Sequence, residues 1–203
     1  MDTIWRLTSA GAPGSYAIRG EIKQPQGSGP RHIVVRGDQL YTIHELASTL
    51  TQQTIPSDPS VSDAPLTANL SIVPPDLPEG ASMFAAEILL AEASSAPGSA
   101  FTQPFIYASN RNLGTLDPRG DAIAIYAVEP ELRLVKHVFT GLNQIRGMEL
   151  SGGSENEFLV AAGVQGEAGT IVLRRTQGGA DLEIVATNTE IPTRTSFVWV
   201  EDF

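Results

Sequence analysis

Between residues 27 and 46 the chain sets an arginine, a histidine and a glutamate where one sheet edge would gather them. Gly27-Ser28-Gly29-Pro30 leads into Arg31-His32 and the β-branched run Ile33-Val34-Val35. A turn signal at Arg36-Gly37-Asp38 follows, and then a second run closes on His44-Glu45-Leu46. A Gly/Pro approach, a β-branched run and a polar turn spell a hairpin. In an antiparallel pair the start of one strand lies beside the end of the next, so Arg31, His32 and Glu45 should share one mouth. Such a trio holds an anion through charge-assisted hydrogen bonds and moves a proton. The pattern returns twice. Glu87 sits near the start of the run 84–90 and Asn110-Arg111 ends the run 104–111. Arg146 lies in 144–150, and Gln165 ends 157–165. Polar groups at the equivalent edge of three hairpins predict a radial repeat around one central site, lined by Arg31, His32, Glu45, Glu87, Asn110, Arg111, Arg146 and Gln165.

The strands needed to position them are legible in the alternation. A first hairpin is expected over 3–8 and 16–22, and the 31–46 hairpin continues into strands at 48–55 and 68–73. The Pro/Ser/Asp stretch 56–65 between those two reads as a mobile loop. Second and third units follow, with strands near 84–91, 104–109, 121–128 and 131–139, then 145–150, 157–163, 169–175 and 181–187. Four strands per unit at a period of about 50 residues is propeller-blade spacing. The expectation is an all-β partial propeller over 1–203, a single domain of three four-stranded blades, a half blade and a closing strand at 196–200. A ring needs at least about four blades, so the chain both starts and stops in mid-blade, and its open edges invite self-association.

Composition narrows the partners. Thirteen basic against 23 acidic residues give a net charge of −10 over 203 residues, which argues against nucleic acid and anionic membranes. Nothing at the start resembles a signal peptide, and no apolar stretch approaches the roughly 18 residues of a membrane helix. The absence of cysteine removes disulfides and thiol chemistry and leaves the redox compartment open. No His/Asp/Glu spacing is typical of a metal site. Gly163-x-x-Gly166-x-x-Gly169 is followed by a strand rather than a helix, so it is no nucleotide loop, and there is no Gly-x-Ser-x-Gly elbow. His44 alternates away from Glu45 and reads as structural; His137, on an outer strand, reads as surface.

Gly29-Pro30-Arg31-His32, Glu45-Leu46, Ala86-Glu87-Ile88, Tyr107-Ala108-Ser109-Asn110-Arg111, Arg146 and the closing Ser196-Phe197-Val198-Trp199 occur in an order and repeat phase that resemble the lactonase family of seven-bladed β-propellers. That family includes 6-phosphogluconolactonases and fungal 3-carboxy-cis,cis-muconate lactonising enzymes, and the chain looks closer to the fungal members. The resemblance covers nearly the whole chain and matches only the C-terminal half of the family fold. It implies that Arg31, Glu45 and Arg111 are catalytic, and the repeat phase adds His32, Glu87, Asn110, Arg146 and Gln165 as substrate-binding residues. A family histidine on an earlier blade has no counterpart, which implies an inactive fragment. The implied reaction forms or opens a lactone on a small anionic lactone or dicarboxylate, with no metal and no cofactor. Two readings stand beside a cyclase: a lactone hydrolase, and a non-catalytic binding propeller.

Overall fold

The structure, a computed structural model, describes residues 2–153, 155–166, 169–191 and 195–200. Apart from one 3-10 turn at Gln177–Gly179, the regular elements among them are strands. A hairpin of β1 (Thr3–Ser9) and β2 (Tyr16–Lys23) is followed by three four-stranded antiparallel sheets in chain order. These are β3 (Pro30–Arg36), β4 (Gln39–His44), β5 (Thr49–Thr54) and β6 (Leu66–Ser71); then β7 (Met83–Ala91), β8 (Phe105–Asn112), β9 (Ala122–Ala127) and β10 (Arg133–Phe139); then β11 (Asn143–Leu150), β12 (Phe158–Gln165), β13 (Thr170–Thr176) and β14 (Asp181–Asn188). The first strands β3, β7 and β11 lie next to one another, so each sheet is a blade of a partial β-propeller with its first strand innermost.

Burial follows place in the blade. The middle strands β8 and β9 are buried along their whole length, because a neighbouring blade covers each face. The outer strand β6 alternates, with Leu66, Ala68 and Leu70 turned inward and Thr67, Asn69 and Ser71 outward, as a strand covered on one face should. Between the first and second blades, Tyr41, Ile43, Leu50 and Ile72 pack with Ile106, Ala108, Ala124 and Tyr126. Between the second and third, Phe105, Tyr107, Ile123 and Ile125 pack with Ile145, Leu159, Ile171 and Leu173. The two central tyrosines spend their hydroxyls on carbonyls, Tyr126 on Ser71 O and Tyr107 on Gly179 O, each at 2.7 Å. Burying their rings therefore leaves no polar orphan.

Two expectations need correction. The 56–65 stretch is no free loop; it is the seat of the β1–β2 hairpin. Lys23 N donates to Ser62 O at 3.1 Å, Gln53 Nε2 to Ala64 O at 2.6 Å, and Arg6 Nη1 to Asp58 O at 3.2 Å. The opposite face of the hairpin leaves Trp5, Leu7, Tyr16 and Ile18 exposed. The run 196–200 forms no strand. It lies over β11 instead, Thr195 and Phe197 against Gly147 and Trp199 Nε1 at 3.5 Å from Glu149 O. No helix among the described residues is long and apolar enough to cross a membrane.

Gly20 sets how closely the hairpin docks, because a Cβ there would stand 1.8 Å from Pro59 O. A backbone carbonyl cannot swing aside as a side chain would. Gly20→Ala should therefore destabilise by about 1–3 kcal/mol, the usual cost of overpacking, measured by urea unfolding. A variant as stable as its parent would refute this docking.

Candidate functional site

Each innermost strand carries a β-bulge at the same place, and each bulge delivers a charged side chain. In β3, Pro30 pairs with His44 and His32 with Ile43, so Arg31 is the extra residue. In β7, Ala85 pairs with Asn110 and Ile88 with Ala108, leaving Ala86 and Glu87 opposite Ser109 alone. In β11, Ile145 pairs with Gly163 and Gly147 with Ala162, so Arg146 is extra. A bulge breaks the period of two and re-aims one side chain. The freed Glu87 N–H is taken by Ser109 Oγ at 3.0 Å, and Ala86 O accepts from Arg31 Nε at 2.8 Å. The bulge of one blade thus locks the arginine of the blade before it.

The second strands supply the rest by the same phase. Glu45 follows His44 and Arg111 follows Asn110, one step past the last pair before the bulge in each blade. The Glu45 carboxylate lies between two guanidiniums: Arg31 Nη1 meets Oε2 at 3.0 Å, and Arg111 Nη2 meets Oε1. On the other side of Arg31, Glu87 Oε1 lies 3.9 Å from Nη2 and 3.5 Å from His32 Nε2. Partial burial pushes the Glu45 carboxyl up, but the hydrogen bond from Arg31 and the charges of Arg111 and Arg31 outweigh it and hold it below its ordinary value. Burial pulls the Arg111 guanidinium down, and Glu45 opposes while the like charges of Arg31 and Arg146 add to the fall. Arg111 is the enclosed member, its side chain only 3% exposed and its Nε buried without a partner. Arg146 is exposed and makes no ion pair among the described residues.

The structure thus brings together Arg31, His32, Glu45, Glu87 and Arg111, with Arg146 near enough to act on Arg111 by charge. It does not bring Asn110 there. Strand alternation turns Asn110 to the face opposite Arg111, where it is fully buried, donates to Ile72 O at 3.4 Å and accepts from Ala122 N at 3.1 Å. Gln165 falls one residue beyond the place equivalent to Glu45 and Arg111, a place that Val164 occupies, and its side chain is exposed. His44 holds the place equivalent to Asn110 and bonds Ser28 Oγ at 2.8 Å and Thr51 Oγ1 at 2.9 Å. His137 is half-buried rather than on the surface, its Nε2 3.2 Å from Ile72 O. Among the described residues, no three His, Asp or Glu side chains gather so as to hold a metal ion.

Sequence reasoning assigned no role to Ser109, to the Ala86 carbonyl or to Asp121. Asp121 is 1% exposed and takes N–H groups from Asn112 at 3.2 Å and Gln144 at 2.6 Å. Its carboxyl is pushed up to about 6 by burial, against hydrogen bonds from Gln144, Asn112 and Ile145 and the charge of Arg111.

Residues 1–199 match the family described as Lactonase, 7-bladed beta-propeller. No curated protein matches the chain. Among solved structures, a protein from Lactobacillus plantarum superposes with a TM-score of 0.74 at 20% identity, over 96% of this chain and 51% of its own. The Pseudomonas aeruginosa periplasmic gluconolactonase gives 0.72 at 18%, over 96% and 50%. A candidate 6-phosphogluconolactonase from Bacteroides fragilis gives 0.71 at 18%, over 98% and 52%. The chain spans about half the length of these solved structures.

The shared carboxylate makes a direct prediction. Because its pKa is depressed, the stability Glu45 contributes is present above its ordinary value of 4.5 and is lost as pH falls through its folded value. A carbon-detected NMR titration should find the Glu45 midpoint below 4.5 in the parent and higher in Arg31→Ala. An unshifted midpoint in both would contradict the geometry.

Proposed function

The chain belongs to the lactonase family of seven-bladed β-propellers, and on that premise we propose that it contributes the acid–base half of a site that opens a small anionic lactone. The observation that carries this is Glu45 held between Arg31 and Arg111 at the inner rim, beside Glu87 and His32. Glu45 accepts a proton from water as the hydroxide adds to the lactone carbonyl carbon. Arg31 and Arg111 stabilise the oxyanion that forms. When the ring C–O bond breaks, the alkoxide oxygen takes that proton back from Glu45, leaving a hydroxy acid. Arg146, exposed and without an ion pair among the described residues, binds the anionic group of the substrate. The names of two neighbours, a gluconolactonase and a candidate 6-phosphogluconolactonase, favour hydrolysis over cyclisation.

The test is turnover of glucono-δ-lactone, its 6-phospho ester and carboxymuconate by the purified chain, with the remaining blades supplied by a homologous half-propeller if the chain alone is silent. Arg111→Ala should cost about 2–4 kcal/mol of transition-state stabilisation, the scale of an oxyanion donor. Arg111→Lys should recover little, because an ammonium does not reproduce a guanidinium fork. Glu45→Gln should lower kcat more than it raises KM, because the amide keeps the shape and loses the basicity. Turnover of carboxymuconate alone would replace hydrolysis with lactonisation. No turnover in any arrangement would leave a binding propeller.

Residues 1–203 are proposed to act as one partial propeller domain whose open end associates with itself. Support comes from the apolar face of the β1–β2 hairpin, where Trp5 is 50% and Tyr16 68% exposed, an invitation to contact. Sedimentation velocity should show mass rising with concentration, and Trp5→Glu should suppress the rise. A monodisperse monomer at all concentrations would remove this proposal.

A further inference from the structure

Asp121 belongs to no pair in the site, yet it stands where the two strands that deliver Arg111 and Arg146 meet. Its Oδ1 accepts Asn112 N at 3.2 Å, the residue directly after Arg111. Its Oδ2 accepts Gln144 N at 2.6 Å, two residues before Arg146. Gln144 holds a φ of +57°, a left-handed conformation unusual for a side chain of its kind. That conformation turns the Gln144 N–H toward the carboxylate. The same residue is fixed from behind. Asp121 N donates to Leu142 O at 2.7 Å, while its carbonyl takes Thr140 N at 3.0 Å and Thr140 Oγ1 at 2.8 Å. The side chain of this one buried residue therefore joins the end of β8 to the start of β11, and its backbone ties the start of β9 to the turn between β10 and β11.

We propose that Asp121 is a positioning residue that sets Arg111 and Arg146 relative to each other across the junction of the second and third blades. It touches no substrate and acts through the two backbone segments. Arg111 depends on this support because its guanidinium is enclosed and its Nε finds no partner. Among the described residues only Glu45 holds its tip, so the strand end must be fixed from elsewhere. The catalytic consequence rests on the lactone reading above; the positioning itself does not.

The experiment compares Asp121→Asn with Asp117→Asn, a buried aspartate that only clamps Arg119. Asp121→Ser, whose hydroxyl still accepts one N–H, replaces the amide variant if that does not fold. The first readout is the Nε–H resonance of Arg111 in nitrogen-15 correlated spectra, identified by its loss in Arg111→Lys. It should shift in the Asp121 variant, together with that of Arg146, and stay in place in Asp117→Asn. The second is kcat/KM on the lactone that the parent turns over. It should fall on the order of 10–100-fold, the cost of a misplacement near 1 Å, with Asp117→Asn near the parent. Unmoved arginine resonances in a folded Asp121 variant would overturn the proposal, and so would moved resonances with unchanged kcat/KM. If the resonances move and the parent opens no lactone, the positioning stands and the lactone reading fails.

Discussion

One carboxylate, Glu45, ties the inner rim together. Arg31 of its own blade and Arg111 of the next both donate to it, and its backbone carbonyl accepts Ala85 N of β7 at 3.3 Å. Arg111 has almost no contact with water, so the cost of desolvating its charge is met by this one anion. Removing either partner of such a pair leaves a charge stranded, which costs more than the pair contributes when intact. The groups placed to do chemistry are thus also those that fix how the first two blades meet. Under the proposed reaction, function and structure would share the same bonds.

Elsewhere the blades are joined more weakly by charge and more strongly by apolar packing. At the opposite end of β3, Arg36 Nε reaches Glu92 at 2.8 Å and Nη1 reaches Glu129 at 2.7 Å. At the periphery Lys136 reaches Asp181 at 2.8 Å. Arg36, Glu92, Glu129 and Lys136 are all a third or more exposed, and exposed pairs contribute roughly 0–1 kcal/mol. By contrast a single fully buried side chain such as Ile43, Ile106 or Leu159 contributes about 1.5–3 kcal/mol. The apolar layers therefore hold the arc, and the ion pairs set its alignment. The bulges decide what faces the axis: without them Arg31, Glu87 and Arg146 would follow the period of two.

Strands and their grouping into blades were legible because alternation, glycine and proline turns and a near-50-residue period all agree. Arg31, Glu45 and Arg111 were legible for the same reason, since an edge position survives small errors of register. Asn110 and Gln165 were not. Each lies one residue from a position that faces the rim, and in a strand one residue is the whole difference between faces. A bulge is a property of pairing, invisible in either strand read alone, so Ser109 and the Ala86 carbonyl had no sequence signal. Asp121 opens the strand expected over 121–128, and only the fold reveals that the start of β11 comes back to its side chain. The run 196–200 has strand composition yet lies over β11 without pairing as a strand, and composition alone does not make a ladder.

The charge of the site has a consequence for how it would select and activate. The chain carries −10, yet its rim sets Arg31, Arg111 and Arg146 against Glu45 and Glu87. Over the Debye length of about 8 Å at physiological salt it is this local cationic excess that an arriving anion meets. In the empty site Glu45 is a weak base, because two guanidiniums stabilise its ionised form. Under the proposed reaction, an anion bound by Arg146 that also draws Arg31 toward itself would loosen that grip and raise the basicity of Glu45 toward the range useful for general-base work. The geometry thereby couples recognition to activation under the proposed reaction. A neutral lactone would leave Glu45 clamped, whereas an anionic one would release the base as it binds.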